Sequence, residues 1–142
     1  MKYNPYIHVR SPKFVVHPGE DDELVNEGMY GKSLALYLWN ELKKNGYEVP
    51  FICCEDWGWW MEIAGHPFAL GLCIYGQLNE KTNQLELSTT VSPEEGRRWS
   101  WSRLRLVDTS PVVQKLHADV VAIFENDPDI RVLGINDDSY WE

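Results

Sequence analysis

Two different spacings of apolar residues share this chain, and together they narrow its fold more than any other feature. From about Tyr30 to Lys44, Leu34, Leu38 and Leu42 recur every four residues with Ala35 and Trp39 beside them, which paints one face of a helix. Lys43 and Lys44 suit the negative end of that helix, and Asn45-Gly46 is a suitable left-handed stop. Val112, Val113, Leu116, Val120, Ile123 and Phe124 form a second stripe. It opens at Ser110-Pro111, with Ser as the cap and Pro in the first turn, and closes before Asp127-Pro128.

Elsewhere the period shortens to two. Tyr6 to Val16 alternates and is broken by Ser11-Pro12, which predicts an edge strand or extended arm, because proline cannot donate to a ladder. His17-Pro18-Gly19 reads as a turn, and the acidic run Glu20-Asp21-Asp22-Glu23, followed by Gly28 and Gly31, reads as a solvated loop. Tyr47 to Cys54, a turn at Glu55-Asp56-Trp57-Gly58, and Trp59 to Ala64 predict a hairpin. Phe68 to Tyr75 is apolar on both sides, large at 68, 70, 72 and 74 and small between, so it reads as a central strand whose small side lies under something bulky such as a helix. Leu85 to Val91 alternates cleanly, Arg97 to Val107 reads as extended, and Ile130 to Ile135 as a last strand before an acidic tail. Strands joined by short connections favour antiparallel pairing, and two one-faced helices cover one side of it. The expected fold is therefore α+β: a two-layer sandwich, mainly an antiparallel sheet of about five or six strands, with two helices on one face.

The length of 142 residues fits one domain over residues 1–142, large enough to bury roughly two-thirds of its surface without staples. Thirteen Lys and Arg against 22 Asp and Glu leave a formal charge of −9, a field that repels nucleic acid and anionic lipid and argues against either as partner. No apolar stretch reaches membrane-spanning length and no secretion signal is visible. Three cysteines, two adjacent at Cys53 and Cys54, lack the spacing of a disulfide framework, so reduced thiols and a cytoplasmic location are expected. Cys53 and Cys54 should face opposite sides of their strand, with Glu55 and Asp56 discouraging the thiolate.

Familiar catalytic patterns are missing. Gly31-Lys32-Ser33 lacks the earlier glycine of a phosphate loop, since Asn26 stands there, and the four histidines show neither an i,i+4 pair nor cysteine at zinc spacing. No metal or cofactor is expected. Seven Trp remain to be explained, because the indole carries large area but wants a partner for its N–H. Glu55-Asp56-Trp57-Gly58-Trp59-Trp60 sets two carboxylates among three indoles, the residue types of a sugar site. Hydrolysis needs two acids facing each other across roughly 5–9.5 Å, which neighbours in sequence do not provide, although Glu62 could supply a second. The alternative is that Asp56 and Gly58 make a turn while Trp57 and Trp59 fill the core. In Arg97 to Arg105, an extended chain places Arg97, Trp99, Trp101, Arg103 and Arg105 on one face, either as a binding strip or as an internal ladder of arginine on indole.

The run Tyr30-Gly31-Lys32-Ser33-Leu34-Ala35, then Leu42, Gly46-Tyr47-Glu48-Val49, then Glu55-Asp56-Trp57-Gly58-Trp59, resembles a group of small bacterial proteins. In these a helix, a glycine stop and a strand lead to an Asp-Trp-Gly-Trp turn, and a later Asp-Pro closes the last helix. The resemblance implies bacterial origin and one domain, and no mechanism. Three functional expectations follow from the residues. The first is a non-catalytic cytoplasmic protein-binding or regulatory protein, of the kind an immunity protein represents, whose partner is a protein with a basic surface. Its binding residues would be drawn from Glu55, Asp56, Trp57, Trp60, Arg97, Trp99, Trp101 and Arg103. The second is a small-ligand, sugar-like binding protein or hydrolase with a cleft at the Glu55–Trp60 turn. The third is a homo-oligomer in which the cationic strip meets the acidic segment of a second copy.

Overall fold

The leucine spacing becomes helix α1 (Lys32–Lys44), whose buried face is Leu34, Ala35, Leu38 and Leu42. It closes in a Schellman arrangement: the Gly46 N–H donates to the Lys43 carbonyl at 3.1 Å and the Tyr47 N–H to the Leu42 carbonyl at 3.0 Å, with Gly46 at φ +88°. The second stripe becomes α2 (Ser110–Glu125), burying Val113, Leu116, Val120, Ile123 and Phe124. Its cap residue is Thr109 rather than Ser110, which already lies in the helix. The computed structural model in which these elements are seen describes residues 5–93, 96–100 and 103–137.

The strands are β1 (Tyr6–Arg10), β2 (Ile52–Glu55), β3 (Gly58–Ile63), β4 (Leu70–Asn79), β5 (Gln84–Ser92), β6 (Arg97–Ser100), β7 (Arg105–Asp108) and β8 (Arg131–Asn136). Six of them form one antiparallel sheet in the order β2-β3-β4-β5-β1-β8, while β6 and β7 pair separately. The fold is thus the expected α+β sandwich, with one hydrophobic core between helices and sheet. No helix among the described residues is long and apolar enough to cross a membrane.

Several strand assignments shift for tertiary reasons. β1 is not an edge: it lies between β5 and β8, and the strand stops at Arg10, so Pro12 stays out of the ladder. Within Tyr47 to Cys54, only the end is strand, beginning at Ile52. On β4 the large side, not the small one, faces the helices, since Leu70, Leu72 and Ile74 are fully buried in the core that they share with α1 and α2. What lies over the small side is the Trp60 indole: a Cβ added at Gly71 would stand 2.5 Å from Trp60 Cη2. Thus the bulky neighbour foreseen for the small side is a ring from the adjacent strand.

Two tyrosine–aspartate contacts fasten the helical layer. Tyr47 donates from its hydroxyl to Asp119 Oδ2 at 2.5 Å, where Lys115 Nζ also donates at 2.7 Å. At the far end, Asp127 Oδ2 accepts from Lys13 Nζ at 2.6 Å and from the Tyr37 hydroxyl at 2.8 Å, joining the arm after β1, α1 and the end of α2. The Lys13 and Tyr37 hydrogen bonds, in that order, hold the Asp127 carboxyl down at about 2, against an ordinary 3.8. A depressed carboxyl stabilises the fold above its unfolded value and loses that contribution as pH falls through the folded one. Asp127→Asn should therefore be less stable than the unaltered chain at pH 7, with the gap narrowing as pH falls from about 4 to about 2; urea midpoints across that range test this.

Candidate functional site

Within the acidic run after the first turn, Asp21, Asp22 and Glu23 are exposed but Glu20 is not. Glu20 is 0% exposed, and its carboxylate collects three backbone N–H groups: His17 donates to Oε1 at 3.0 Å, Gly31 to Oε2 at 2.8 Å and Lys32 to Oε2 at 3.0 Å. Gly31 is the cap residue of α1 and has no side chain to cap with, so a carboxylate eleven residues earlier takes over that duty at the positive end of the helix. The expectation of a solvated loop holds for Asp21, Asp22 and Glu23 and fails at Glu20, because a helix whose own cap is glycine leaves donors that must find an acceptor elsewhere.

Residues 20–31 consequently form a strap folded onto the sheet. The Tyr30 hydroxyl donates to Asp21 Oδ1 at 2.6 Å, which pushes the phenol pKa up, and Lys32 pairs with Glu23. The Tyr30 carbonyl lies so close over β4 that a Cβ at Gly76 would stand 1.6 Å from its oxygen; only glycine admits the strap at this point. Gly31 itself presses on Trp59 and Ile74, where a Cβ would stand 2.9 Å from Trp59 Cδ1. Further along, Asn26 Nδ2 donates to the Asp56 carbonyl, tying the strap to the β2–β3 turn that carries Trp57. That turn needs Gly58, at φ +153° and with a Cβ position only 2.4 Å from the Ile74 carbonyl oxygen.

Strap, turn and sheet together enclose a cleft of about 580 Å³. Its sheet contribution follows from register. Tyr75, Ser88 and His8 face one another across β4, β5 and β1, and Gln77 pairs with Glu86, beside which Arg10 stands with Nη2 3.8 Å from Glu86 Oε1. These are the alternate positions to Ile74, Leu87 and Ile7, which are buried in the core, so the cleft opens on the face of the sheet away from the helices. One wall is aromatic: Tyr6 and Trp57 each lie 5.7 Å, centroid to centroid, from Tyr75, at interplanar angles of 57° and 49°. Burial pushes the Tyr75 phenol up, so it stays a neutral donor. Glu27 and Met29 of the strap and Leu133 of β8 complete the lining. His8 Nε2 lies 3.1 Å from Asn136 Oδ1.

The residues expected to bind from the first indole cluster are dispersed by this geometry. Only Trp57 lines the cleft. Glu55 and Asp56 are exposed on the turn, Glu55 Oε1 accepting from the Cys53 thiol at 3.4 Å and Asp56 contributing its backbone carbonyl to Asn26. Trp60 lies against Gly71 and donates its N–H to Glu62 Oε1 at 2.9 Å, so the carboxylate considered as a second acid is occupied by an indole. Trp59 is buried in the core at 2% exposure, whereas Trp57 is only half-buried, so one of the two indoles assigned to the core belongs there. Cys53 and Cys54 pair with Trp60 and Trp59 respectively and so take opposite faces; burial first and Glu55 second push the Cys53 thiol up. Among the described residues no group of three His, Cys, Asp or Glu is placed to hold a metal ion.

The cationic strip does not exist as one face. Arg97 to Val107 folds back as the hairpin β6–β7, with Trp99 opposite Leu106 and Ser100 opposite Arg105, which puts Arg105 on the other face from Trp99. Leu104, at φ +51°, and Arg103 sit in the connection, and Trp101 lies outside the described residues. Arg97 is the first residue of β6. Thr109 closes the base, with its Oγ accepting from the Gly96 N–H at 2.9 Å and its own N–H donating to the Gly96 carbonyl at 2.6 Å. Trp99, Leu104 and Leu106 remain 47%, 69% and 57% exposed.

Sequence reasoning missed Tyr6, Arg10, Tyr75, Gln77, Glu86 and Glu27. The one available signal was the alternation of polar with apolar residues past Tyr75 on β4 and along β5; nothing in the chain announces that β1 pairs beside β5. Glu20→Ala removes the acceptor of three N–H groups and should cost about 2–3 kcal/mol in urea unfolding, with faster amide exchange at Gly31 and Lys32 than elsewhere in α1. Set against protein-family models, curated proteins and solved structures, the chain matches none.

Proposed function

We propose that this chain is a non-catalytic binding protein whose cleft takes a small polar ring compound of sugar-like type. The observation that carries the reading is the adjacency, in one cleft, of the aromatic group Tyr6–Tyr75–Trp57 and the polar row Gln77–Glu86–Arg10. Aromatic faces cover the C–H surface of a ring, and the adjacent amide, carboxylate and guanidinium are suited to ring substituents. The close seating of the strap on β4 at Gly76 supports a cleft formed before the ligand arrives. Three free cysteines support a reducing, cytoplasmic location. Tryptophan fluorescence titrated with a panel of monosaccharides, nucleosides and cyclic polyols should show a saturable change with at least one class, and Trp57→Ala should weaken that ligand by at least about tenfold. A flat response across the panel would overturn the reading.

A second reading, docking of another protein, is favoured by the β6–β7 hairpin, where Trp99 and Leu106 are neighbours on one face and both are about half-exposed. An immunity-like or regulatory role would use this surface. The expected outcome is a partner retained by the unaltered chain and released by Trp99→Ser with Leu106→Ser, while the titration at Trp57 is unchanged. Equal retention by both chains removes the hairpin from consideration.

A further inference from the structure

The cleft also carries a charge preference. Of its ionisable lining groups, His8 has its Nε2 3.1 Å from Asn136 Oδ1, Arg10 stands by Glu86, and Glu86 Oε1 further accepts from Asn79 Nδ2 at 3.0 Å. Glu27 is different: it is exposed on the strap, lines the cleft, and makes no ion pair or hydrogen bond among the described residues. With His8 counted neutral, two carboxylates against one guanidinium give the described lining residues a formal charge of −1, in a chain whose whole field is that of −9. The same cleft is lined by three rings, and electron-rich ring faces attract a cation and repel an anion. Among the described residues, neither Lys nor a second Arg lines the cleft to answer Glu27.

We infer that the ring compound bears a protonated amine, as an amino sugar does, with the ammonium set between Glu27 and the Tyr6–Tyr75–Trp57 wall. The inference rests on the binding role proposed above and deepens it. Stacking alone would accept a neutral ring equally well. An anionic ring would meet Glu27, Glu86 and the long-range field together, with only a guanidinium that Glu86 already holds in its favour.

The test uses three rings of one shape and different charge, glucosamine, glucose and glucuronate, titrated into the intact chain at about pH 7 and low salt and read by calorimetry and tryptophan fluorescence. Glucosamine should bind about tenfold tighter than glucose, glucuronate more weakly than both, and the margin should shrink as salt is raised. Glu27→Gln, an exposed change that leaves the strap contacts intact, should abolish the margin of glucosamine over glucose. Equal binding of glucosamine and glucose, or tightest binding of glucuronate, overturns the amine while leaving the ring-binding role standing. A glucosamine preference that persists in Glu27→Gln also overturns the assignment. Tetramethylammonium binding as tightly as glucosamine would defeat the ring-binding role on which the inference depends, as would failure of all three sugars together with the wider panel.

Discussion

A single buried carboxylate organises the part of the molecule that has a cleft. Glu20 sits at the positive end of α1 and answers the N–H groups of His17, Gly31 and Lys32 at once. A helix begun by glycine leaves its first donors open, and an acceptor brought from eleven residues upstream closes them only if the intervening chain folds back on itself. Residues 20–31 do so, and their carbonyl at Tyr30 then fits the notch left by Gly76 on β4. The position of Glu27 at the cleft, and through Asn26 the position of the Trp57 turn, are consequences of that closure.

The tryptophans divide by the parity of the strand that bears them. Trp59 points into the core against Gly31 and Ile74, while Trp60, its neighbour, points to the opposite face and lies over Gly71 with its N–H on Glu62. Trp57, in the turn before them, belongs to neither layer and rests on Tyr75 at the mouth of the cleft. Three indoles within four residues thus hold the layers together, pack the outer face of the sheet and wall a cavity, and no one role describes the cluster.

Regular structure was legible because it depends on local periods. Leu34, Leu38 and Leu42 place a helix whatever the rest of the chain does, and Leu85 to Val91 alternates as a half-buried strand must. The errors occur where an element answers to something distant. Arg97 to Val107 contains a turn with no Gly or Pro to mark it, since the left-handed residue there is Leu104, so a straight reading of the strip puts Arg105 and Leu106 on the wrong faces. β1 looked like an edge because of Pro12, but the proline lies beyond its last paired residue.

The sequence by itself determined the class of the fold, the two helical stripes, the glycine stop after Lys44 and the adjacent cysteines facing opposite ways, because each depends on neighbours within a few positions. Strand order, the strap and the cleft were decided only by tertiary structure. The cleft's groups come from β1, β4, β5, β8, the strap and the β2–β3 turn, segments as far apart as Tyr6 and Leu133, and their convergence is set by register across the sheet. A pairing of that kind is fixed by the shape of the whole core, by where Gly76 lets one backbone lie on another and where Glu20 finds its donors, and no pattern within a short window encodes it.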